Sequence, residues 1–487
     1  MPAGADVIVC GAGTAGPVVA ARLVQGGASV LLLEAGPDHG ALPDGRWPTD
    51  LLDATRIPTS HDWGYVSQDG GLPFERARVI GGCSAHNGCT ASWGHRADYD
   101  GWGLAGWKAA TLQPLFEEAS RRMRVRLFEE GDWSPLHRAF IEAGVALGLP
   151  LEDRLQTLDV RPSVCAEPSN SPGGIRWNAA LAYLDPVRGD PRLTIQGDTL
   201  VDRVLIEDGR ALGVRAIGPD GPFEARAGRV VLAGGTYGSP AMLLRSGIGP
   251  AQDLAALGIE VAVDLPGVGA NLHDHPSFAV AIRPSEEYTR RTAAFATSGR
   301  ALPDELGFSC LATSLATDGV IDLHLFSVDD ALGSEEDLPG LFVTCLTPRS
   351  KGLLRLRSAD PVAAPILDHA FLSDPDGHDL AVLVEGVEHA RRFLATAPLA
   401  ALVDAEVTPG ADAVLPAAIR AGVQHCWHPV GTCAMGDVTD ERGAVRGVEG
   451  LTVADASLMP QTVRATTNLP TVTIGERIAA FLCEDAR

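Results

Sequence analysis

The chain opens with apolar runs on either side of a glycine-rich turn, in the order that a βαβ unit requires. Residues 7–9 (VIV) form a short apolar run, typical of a strand buried on both faces. Residues 17–25 predict a helix that turns small alanines toward the sheet, and residues 30–33 (VLLL) predict a second buried strand. Gly11, Gly13 and Gly16 stand between the first strand and the helix in the pattern G-x-G-x-x-G.

In the rest of the chain, the pattern of predicted helices and strands changes near residue 284. Before this point, periodicity predicts helices at 112–122 and 136–147, strands at 193–206, 211–216 and 229–233, and a glycine turn with a helix at 234–249. After it, the patterns predict antiparallel strands at 320–328, 341–346 and 353–356 and a helix over 380–393. A strand at 451–454 and a helix at 471–482 close the chain. We therefore expect a dinucleotide-binding α/β domain and a separate sheet-plus-helix domain.

Glu34 stands at the end of the second predicted strand, 18 residues after Gly16. Its position supports the interpretation of the glycine pattern as a dinucleotide-binding turn. Gly11 allows a tight turn, Gly13 lets a pyrophosphate approach the backbone, and Gly16 lets helix and strand pack closely. The helix N-terminus supplies free N–H groups for the pyrophosphate. An acid at the ribose argues against NADP, whereas FAD and NAD both remain open on this evidence.

Composition narrows the possible partners. The chain has 39 basic and 62 acidic residues, a net charge of −23, which argues against nucleic acid and anionic membranes. The nine cysteines are dispersed and form no C-x-x-C, so we expect reduced thiols and no metal site. With no signal-like N-terminus or bilayer-length apolar run, we expect a cytoplasmic protein. Long loops in compact proteins usually cover a site or a ligand, so we expect the loop-rich region 37–77 to cover a bound ligand.

Several ordered motifs resemble the glucose–methanol–choline (GMC) family of FAD-dependent oxidoreductases, and choline oxidase-like and hydroxymethylfurfural oxidase-like members in particular. Besides the opening fingerprint, they are GGCSAHN (81–87), GTYGSPAMLLRSGIG (235–249), PGVGANLHDH (266–275), HPVGTCAMG (428–436) and GLTVADASLMP (450–460). The resemblance implies a Rossmann-like FAD domain assembled from residues 1–146, 174–282 and 425–487. It also implies a substrate domain with an antiparallel sheet flanked by helices, formed by 147–173 and 283–424. The expected class is α/β (α+β overall).

The resemblance also implies a set of residues around FAD, spread over the whole length of the chain. They are Gly11, Gly13, Thr14, Ala15, Gly16, Glu34, Ala35, Val79, Gly81, Gly82, Ser84, His86, Asn87, Gly88, Cys89, Thr90, Val201, Asp455, Ala456, Asn468, Leu469 and Thr471. His86 matches the histidine that links the flavin covalently in choline oxidases, so we expect a covalent bond there. The alternative is a packing histidine at the flavin edge.

His428 is the expected catalytic residue, because it matches the family's histidine before P-V-G-T. An imidazole can accept the hydroxyl proton of an alcohol at neutral pH, which is worth roughly 10²–10⁴-fold in rate. Thr466 stands where the family usually places the partner of this histidine, a His or Asn. Threonine cannot act as a base near pH 7, so the alternative is a partner position left to water. His425 has no motif match, and we interpret it as structural.

The substrate is expected to be a small-molecule, primary alcohol oxidised to an aldehyde, with O2 or another electron acceptor, and a homodimer stays an open alternative. A choline-like cation needs an aromatic cage and an acid. Trp47, Trp63 and Trp427 could supply the walls, with Glu286, Glu287 and Glu305 as candidate acids without a clear match. An aryl or furanic alcohol is equally open. Rival functions are a non-redox hydroxynitrile lyase that keeps FAD as structure, a flavin-binding accessory protein and, more distantly, an NAD-dependent dehydrogenase.

Overall fold

The elements of the fold are taken from a computed structural model, which describes residues 4–152, 156–297, 305–316, 319–329 and 338–485. The helices are α1 (Gly16–Gln25), α2 (Thr49–Leu52), α3 (Arg96–Gly101), α4 (Ala109–Arg122), α5 (Pro135–Ala146), α6 (Gly235–Arg245), α7 (Ala251–Ala256), α8 (Glu286–Ala296), α9 (His378–Leu394), α10 (Leu415–Gly422) and α11 (Asn468–Asp485).

The strands form two large sheets and three short pairs. They are β1 (Ala5–Cys10), β2 (Val30–Leu33), β3 (Arg126–Leu127), β4 (Ser163–Ala166), β5 (Pro168–Ser169), β6 (Leu193–Gln196), β7 (Leu200–Glu207), β8 (Arg210–Gly218), β9 (Gly221–Leu232), β10 (Ile248–Gly249), β11 (Val263–Asp264), β12 (Ser277–Pro284), β13 (Glu305–Leu311), β14 (Leu323–Val328), β15 (Gly340–Cys345), β16 (Leu353–Arg355), β17 (Ile366–Asp368), β18 (Val403–Glu406) and β19 (Leu451–Val453).

The first large sheet has the order β6-β2-β1-β9-β8-β7, with β19 paired to β9. β1 lies parallel to both β2 and β9, with Val9 opposite Leu32 on one side and Val231 on the other. The N-terminal half of β9 pairs antiparallel with β8, and its C-terminal half pairs parallel with β1 and β19. Strands from three distant parts of the chain therefore end at one edge of this sheet, which is where α/β folds bind ligands.

The second large sheet is antiparallel, with the order β18-β12-β15-β14-β13-β4. On β14, Leu323 and Leu325 are buried in a core with residues of α5 and α9. The alternate residues His324, Phe326 and Val328 face a cavity on the other side. The sheet thus has a helix-covered face and a face that lines the cavity.

The predicted helices and most predicted strands have counterparts within a few residues of their expected ends, and the predicted fold class is confirmed. The single strand predicted at 193–206 is two strands, β6 and β7, and the strand predicted at 229–233 is the end of the longer β9, which begins at Gly221. The domain boundaries stay a prediction. Helix α5 lies before the proposed division at residue 146, yet it packs with the second sheet. Among the described residues, none of the helices is long and apolar enough to cross a membrane.

Candidate active site

A cavity of about 840 Å³ runs from the βαβ turn to the inner face of the second sheet. At one end it is lined by Gly11, Gly13 and Glu34, and at the other by His324, Phe326 and His428. The volume lies within the usual range of cofactor and ligand sites. Residues 55–59, 62, 63 and 75–77 also line the cavity, so part of the loop-rich region 37–77 covers it as expected.

The glycines of the opening turn are used in different ways. A Cβ on Gly16 would lie 1.9 Å from the Gly11 carbonyl oxygen, and one on Gly11 would lie 2.4 Å from the Ala233 carbonyl oxygen. A Cβ on Gly13 would meet protein only at 3.8 Å, the Cα of Gly82, and Gly13 lines the cavity. Gly11 and Gly16 are thus required by the protein's own packing, whereas Gly13 leaves room for a ligand.

Glu34 lies at the end of β2, as the sequence predicts. Its carboxylate accepts the backbone N–H groups of Ala12 at 2.8 Å and Gly36 at 2.9 Å. Burial raises its pKa to about 7, and those two N–H groups oppose the rise. Glu34 therefore holds the glycine turn in place while it faces the cavity.

The other predicted cofactor residues fall into two groups. Those that line the cavity are Thr14, Ala15, Ala35, Gly82, His86, Asn87, Gly88, Thr90, Val201, Asp455, Ala456, Asn468 and Thr471. Those that lie behind its wall are Val79, Gly81, Ser84, Cys89 and Leu469, together with Gly16. Ser84 shows why, because its hydroxyl donates to the Gly81 carbonyl and accepts the Ala179 N–H, which fixes the turn.

The two amide atoms of Asn468 are the clearest sign of a bound group. Asn468 begins α11 and lines the cavity, and both its Oδ1 and Nδ2 are buried without a partner. Buried polar atoms are nearly always paired, so this amide is arranged for a ligand with both an acceptor and a donor. Together with the room at Gly13 and the acid at Glu34, it fits a dinucleotide that carries a heterocycle at its far end, as FAD does.

His428 lies at that far end, with its backbone and ring held by two neighbouring residues. Its N–H donates to both carboxylate oxygens of Asp274, at 3.0 and 3.1 Å. Its ring Nδ1 lies 3.0 Å from Nδ1 of His275. Burial lowers the pKa of His428 well below its ordinary value, and the nearby His275 and Arg76 lower it further. His428 is therefore neutral at neutral pH.

His275 extends this contact away from the cavity. Its Nε2 lies 3.2 Å from the Thr462 hydroxyl, and burial lowers its pKa to about 4. Its backbone N–H also donates to Asp274, whose pKa burial raises to about 7 against the opposing effect of Arg76. His275 and Asp274 stand in the motif PGVGANLHDH, and reading that motif residue by residue would have singled them out.

Thr466 lines the cavity together with His428, and its hydroxyl contacts Thr90 and Ser92. It donates to the Thr90 carbonyl at 3.2 Å. Its oxygen also lies 3.2 Å from the Ser92 hydroxyl, which then serves as the donor in that pair. One lone pair of Thr466 remains for the cavity, so this side chain can accept a hydrogen bond there but has no second proton to donate.

His86 also lines the cavity. Its Nε2 lies 2.8 Å from the Ser60 carbonyl oxygen, which places the proton on Nε2 and leaves Nδ1 as an unprotonated nitrogen. Burial lowers the pKa of this histidine, so the ring is neutral. A neutral ring with one free nitrogen is the form that can attack an electrophilic carbon.

The aromatic residues expected as walls divide. Trp63 and Trp427 line the cavity, whereas Trp47 is buried elsewhere, with its Nε1–H donating to the Gly40 carbonyl. Glu286 and Glu287 lie at the start of α8, outside the cavity lining. The side chain of Glu305 lies outside the described residues.

Four further cavity residues were not singled out from the sequence: Glu75, Arg76, His324 and Tyr237. One acid near the tryptophans is Glu75, whose Oε2 accepts the Trp427 Nε1–H at 2.8 Å. Glu75 and Arg76 stand in the loop region 37–77, which was expected to cover a ligand. That expectation named the region but did not single out these two residues. His324 could have been found from alternation, because it falls on the strand face opposite the core leucines.

Comparison with known proteins agrees with this geometry. Residues 5–277 and 348–475 match the N- and C-terminal models of the GMC oxidoreductases. Choline oxidase of Arthrobacter globiformis is 33% identical over 520 aligned residues, which cover 98% of this chain and 94% of that protein. Mitochondrial choline dehydrogenase of Homo sapiens is 32% identical, over 98% of this chain and 89% of that protein. Pyridoxine 4-oxidase from Mesorbium loti superposes with a TM-score of 0.85 at 26% identity, over 98% of both chains.

An FAD-dependent oxidoreductase is the class of enzyme that this fold and cavity define. The chain belongs to the GMC oxidoreductase family. The predictions of the family, of FAD as cofactor and of an enzyme that oxidises an alcohol are confirmed at this level. The roles of single residues are not tested by these comparisons and stay predictions.

Proposed function

We propose that the enzyme oxidises a primary alcohol to an aldehyde and that His428 accepts the hydroxyl proton through Nε2. The observation that carries this proposal is the contact between the two Nδ1 atoms of His428 and His275 at 3.0 Å. Two imidazole nitrogens at this distance share one proton, so one is the donor and the other the acceptor. The position of that proton decides whether Nε2 of His428 is free to act as a base.

The surroundings of His275 favour a proton on its own Nε2. The Thr462 hydroxyl oxygen lies 3.2 Å from that atom and can accept its proton, and the backbone carbonyl groups of Val463 and Leu346 oppose the fall in the pKa of the ring. With Nε2 protonated, Nδ1 of a neutral His275 must accept, and Nδ1–H of His428 must donate. Nε2 of His428 is then unprotonated and available for the substrate.

When bound, FAD supplies the acceptor for the hydride of the carbinol carbon. His428 takes the hydroxyl proton at Nε2, and the Asp274 carboxylate, held at the amide of His428, stabilises the positive charge that develops on the ring. Thr466 accepts a hydrogen bond at the same wall of the cavity and limits the orientations of the alcohol. The relatives include both an oxidase and a dehydrogenase, so O2 and another electron acceptor both remain compatible.

The substrate end of the cavity favours an apolar, aromatic alcohol. Phe326, Val328, Trp63 and Trp427 supply apolar surface there. Glu75 and Asp62 also line the cavity, but Glu75 accepts the Trp427 indole N–H and Asp62 accepts the backbone N–H of Arg76, whose guanidinium would repel a cation. This arrangement supports an aryl or furanic alcohol over a choline-like cation.

Anaerobic reduction of the bound flavin across a panel of alcohols tests this proposal. We expect benzylic and furanic alcohols to bleach the oxidised flavin and choline to do so more slowly at equal concentration. A flavin that no alcohol reduces, in a protein that cleaves a hydroxynitrile, would overturn the proposal in favour of a non-redox lyase.

A further inference from the structure

The residue before His428 has a backbone conformation that bulky side chains rarely adopt. Trp427 has a φ of 57°, in the left-handed region where Cβ crowds the backbone. A non-glycine residue stays in this region only where its surroundings hold it there. Because Trp427 directly precedes His428, its conformation sets the direction in which the His428 side chain leaves the chain.

Four consecutive residues, 73–76, contact Trp427 and its neighbour His425, and we call this segment the 73–76 clamp. Glu75 Oε2 accepts the indole Nε1–H of Trp427 at 2.8 Å. Arg76 Nη1 donates to the Trp427 carbonyl oxygen at 3.1 Å. One short segment thus holds both the side chain and the backbone of Trp427.

His425 adds a third contact from the same segment. Its Nε2 lies 2.8 Å from the Pro73 carbonyl oxygen, so Nε2 donates and Nδ1 must accept. The Trp427 N–H supplies that bond at 3.2 Å, and the Phe74 ring packs edge-on against the His425 ring at 5.0 Å. Burial lowers the pKa of His425 to about 3, which keeps this arrangement of protons across the neutral range. The N–H, the carbonyl and the indole of Trp427 are all engaged.

We infer that Glu75 and Arg76 are positioning residues for His428. They hold Trp427 in its left-handed conformation, and this conformation keeps the His428 ring 3.0 Å from His275 with Nε2 toward the substrate. The inference rests on the proposed function of His428. The positioning role of Glu75 differs from a role in binding a cationic substrate. Positioning requires only an oxygen that accepts the Trp427 indole N–H, whereas binding a cation requires the negative charge of the carboxylate.

Glu75→Ala and Glu75→Gln separate the two roles. Glutamine keeps an oxygen that accepts the indole N–H and removes the charge. We expect Glu75→Ala to lower the limiting rate of anaerobic flavin reduction by about 10- to 100-fold, because small misplacement of a catalytic group is costly. Glu75→Gln should remain within about 3-fold of wild type, with the substrate concentration for half-maximal rate little changed in both variants.

A Trp427→Phe background supplies the matched control, since phenylalanine keeps an aromatic ring and lacks the N–H. In that background, Ala and Gln at position 75 should give the same rate, as expected when the effect passes through the indole bond. A loss confined to cationic alcohols, seen in half-saturation and equal for Ala and Gln, would overturn the inference and assign Glu75 to substrate recognition.

Crystal structures of the FAD-loaded wild type and Glu75→Ala test the same point without any substrate. We expect Trp427 to leave the left-handed region and the Nδ1–Nδ1 distance between His428 and His275 to lengthen in the variant. An unchanged Trp427 and an unchanged His428 would overturn the inference. If no alcohol reduces the flavin, the proposed function fails, while this comparison still decides whether the clamp positions His428.

Discussion

His428 and His275 face each other with their Nδ1 atoms 3.0 Å apart, a distance at which the two rings share a single proton. Within the part of the chain that the structure describes, no carboxylate oxygen lies within hydrogen-bond distance of either ring. The neighbouring Asp274 instead accepts the backbone N–H groups of both residues. The acid thus fixes the two backbones, and the second histidine fixes the tautomer of the first. Removal of the His428 side chain should therefore remove the base itself, whereas removal of the His275 side chain should change only which ring nitrogen of His428 carries the proton.

His428→Ala should fold and bind FAD, because the glycine turn and Glu34 lie at the other end of the cavity. Its rate of anaerobic flavin reduction should fall at least about 100-fold, as expected for loss of a general base. His275→Ala should fall less, because Nε2 of His428 survives and only its tautomer is released. Stopped-flow absorbance of the flavin measures both, and equal rates for His428→Ala and wild type would remove His428 from the mechanism.

The reduction rate should fall in two steps as the pH is lowered. Burial raises the pKa of Asp274 to about 7, so protonation near that pH weakens its bonds to the His428 N–H and partly lowers the rate. Burial lowers the pKa of His428, so the base is lost only further down, below the ordinary histidine value of about 6.5. Asp274→Asn should abolish the first step and keep the second. A single step centred well above pH 7 would contradict both assignments.

Gly13→Ala and Gly16→Ala form a matched pair that separates cofactor binding from folding. A Cβ at position 16 would lie 1.9 Å from the Gly11 carbonyl oxygen, so Gly16→Ala should lower the melting temperature of the protein. A Cβ at position 13 meets protein only at 3.8 Å, so Gly13→Ala should keep the stability of the FAD-free protein and lose FAD. Flavin content and calorimetry of both variants check this. Full FAD occupancy in Gly13→Ala would place the pyrophosphate elsewhere.

The flavin of the wild-type protein should stay with the polypeptide after acid precipitation, through a bond to His86. The hydrogen bond of Nε2 to the Ser60 carbonyl points to Nδ1 as the bonding nitrogen. His86→Ala should bind FAD without a bond and release it into the supernatant. Mass spectrometry of tryptic peptides locates the link, and wild-type flavin found wholly in the supernatant would refute it.

Thr466→Ala should cost about 1 kcal/mol of transition-state stabilisation, the value of an ordinary neutral hydrogen bond. The hydroxyl proton is already given to the Thr90 carbonyl, so only one lone pair of Thr466 faces the cavity. Thr466→Asn should slow a bulky alcohol and leave a small one unharmed, because the longer side chain fills space beside His428. A loss from Thr466→Ala as large as that from His428→Ala would show that Thr466 does more than accept one bond.

The parts of the site that the sequence predicted are those built from contiguous residues. The glycine turn, Glu34 and the motif at His428 each combine neighbours in the chain, so their spacing carries their geometry. Glu75 and Trp427 are 352 residues apart, and His275 and His428 are 153 apart, so no local pattern pairs them. Trp47 was a wrong choice of wall for a different reason. Its indole N–H donates to the carbonyl of the nearby Gly40, and the residue type alone does not show which way an indole points.

The placement of β19 beside β9 also bears on the order of events during synthesis. β19 comes from residues 451–453 and pairs with the same half of β9 that pairs with β1, and Gly475 of α11 packs against Val18 of α1. A nascent chain that has not yet reached Leu451 lacks one strand of the cofactor sheet and the helix that begins with Asn468. FAD capture must then wait until the chain through Asn468 has left the ribosome, and translation of a message truncated before Leu451 should yield a polypeptide that carries no flavin.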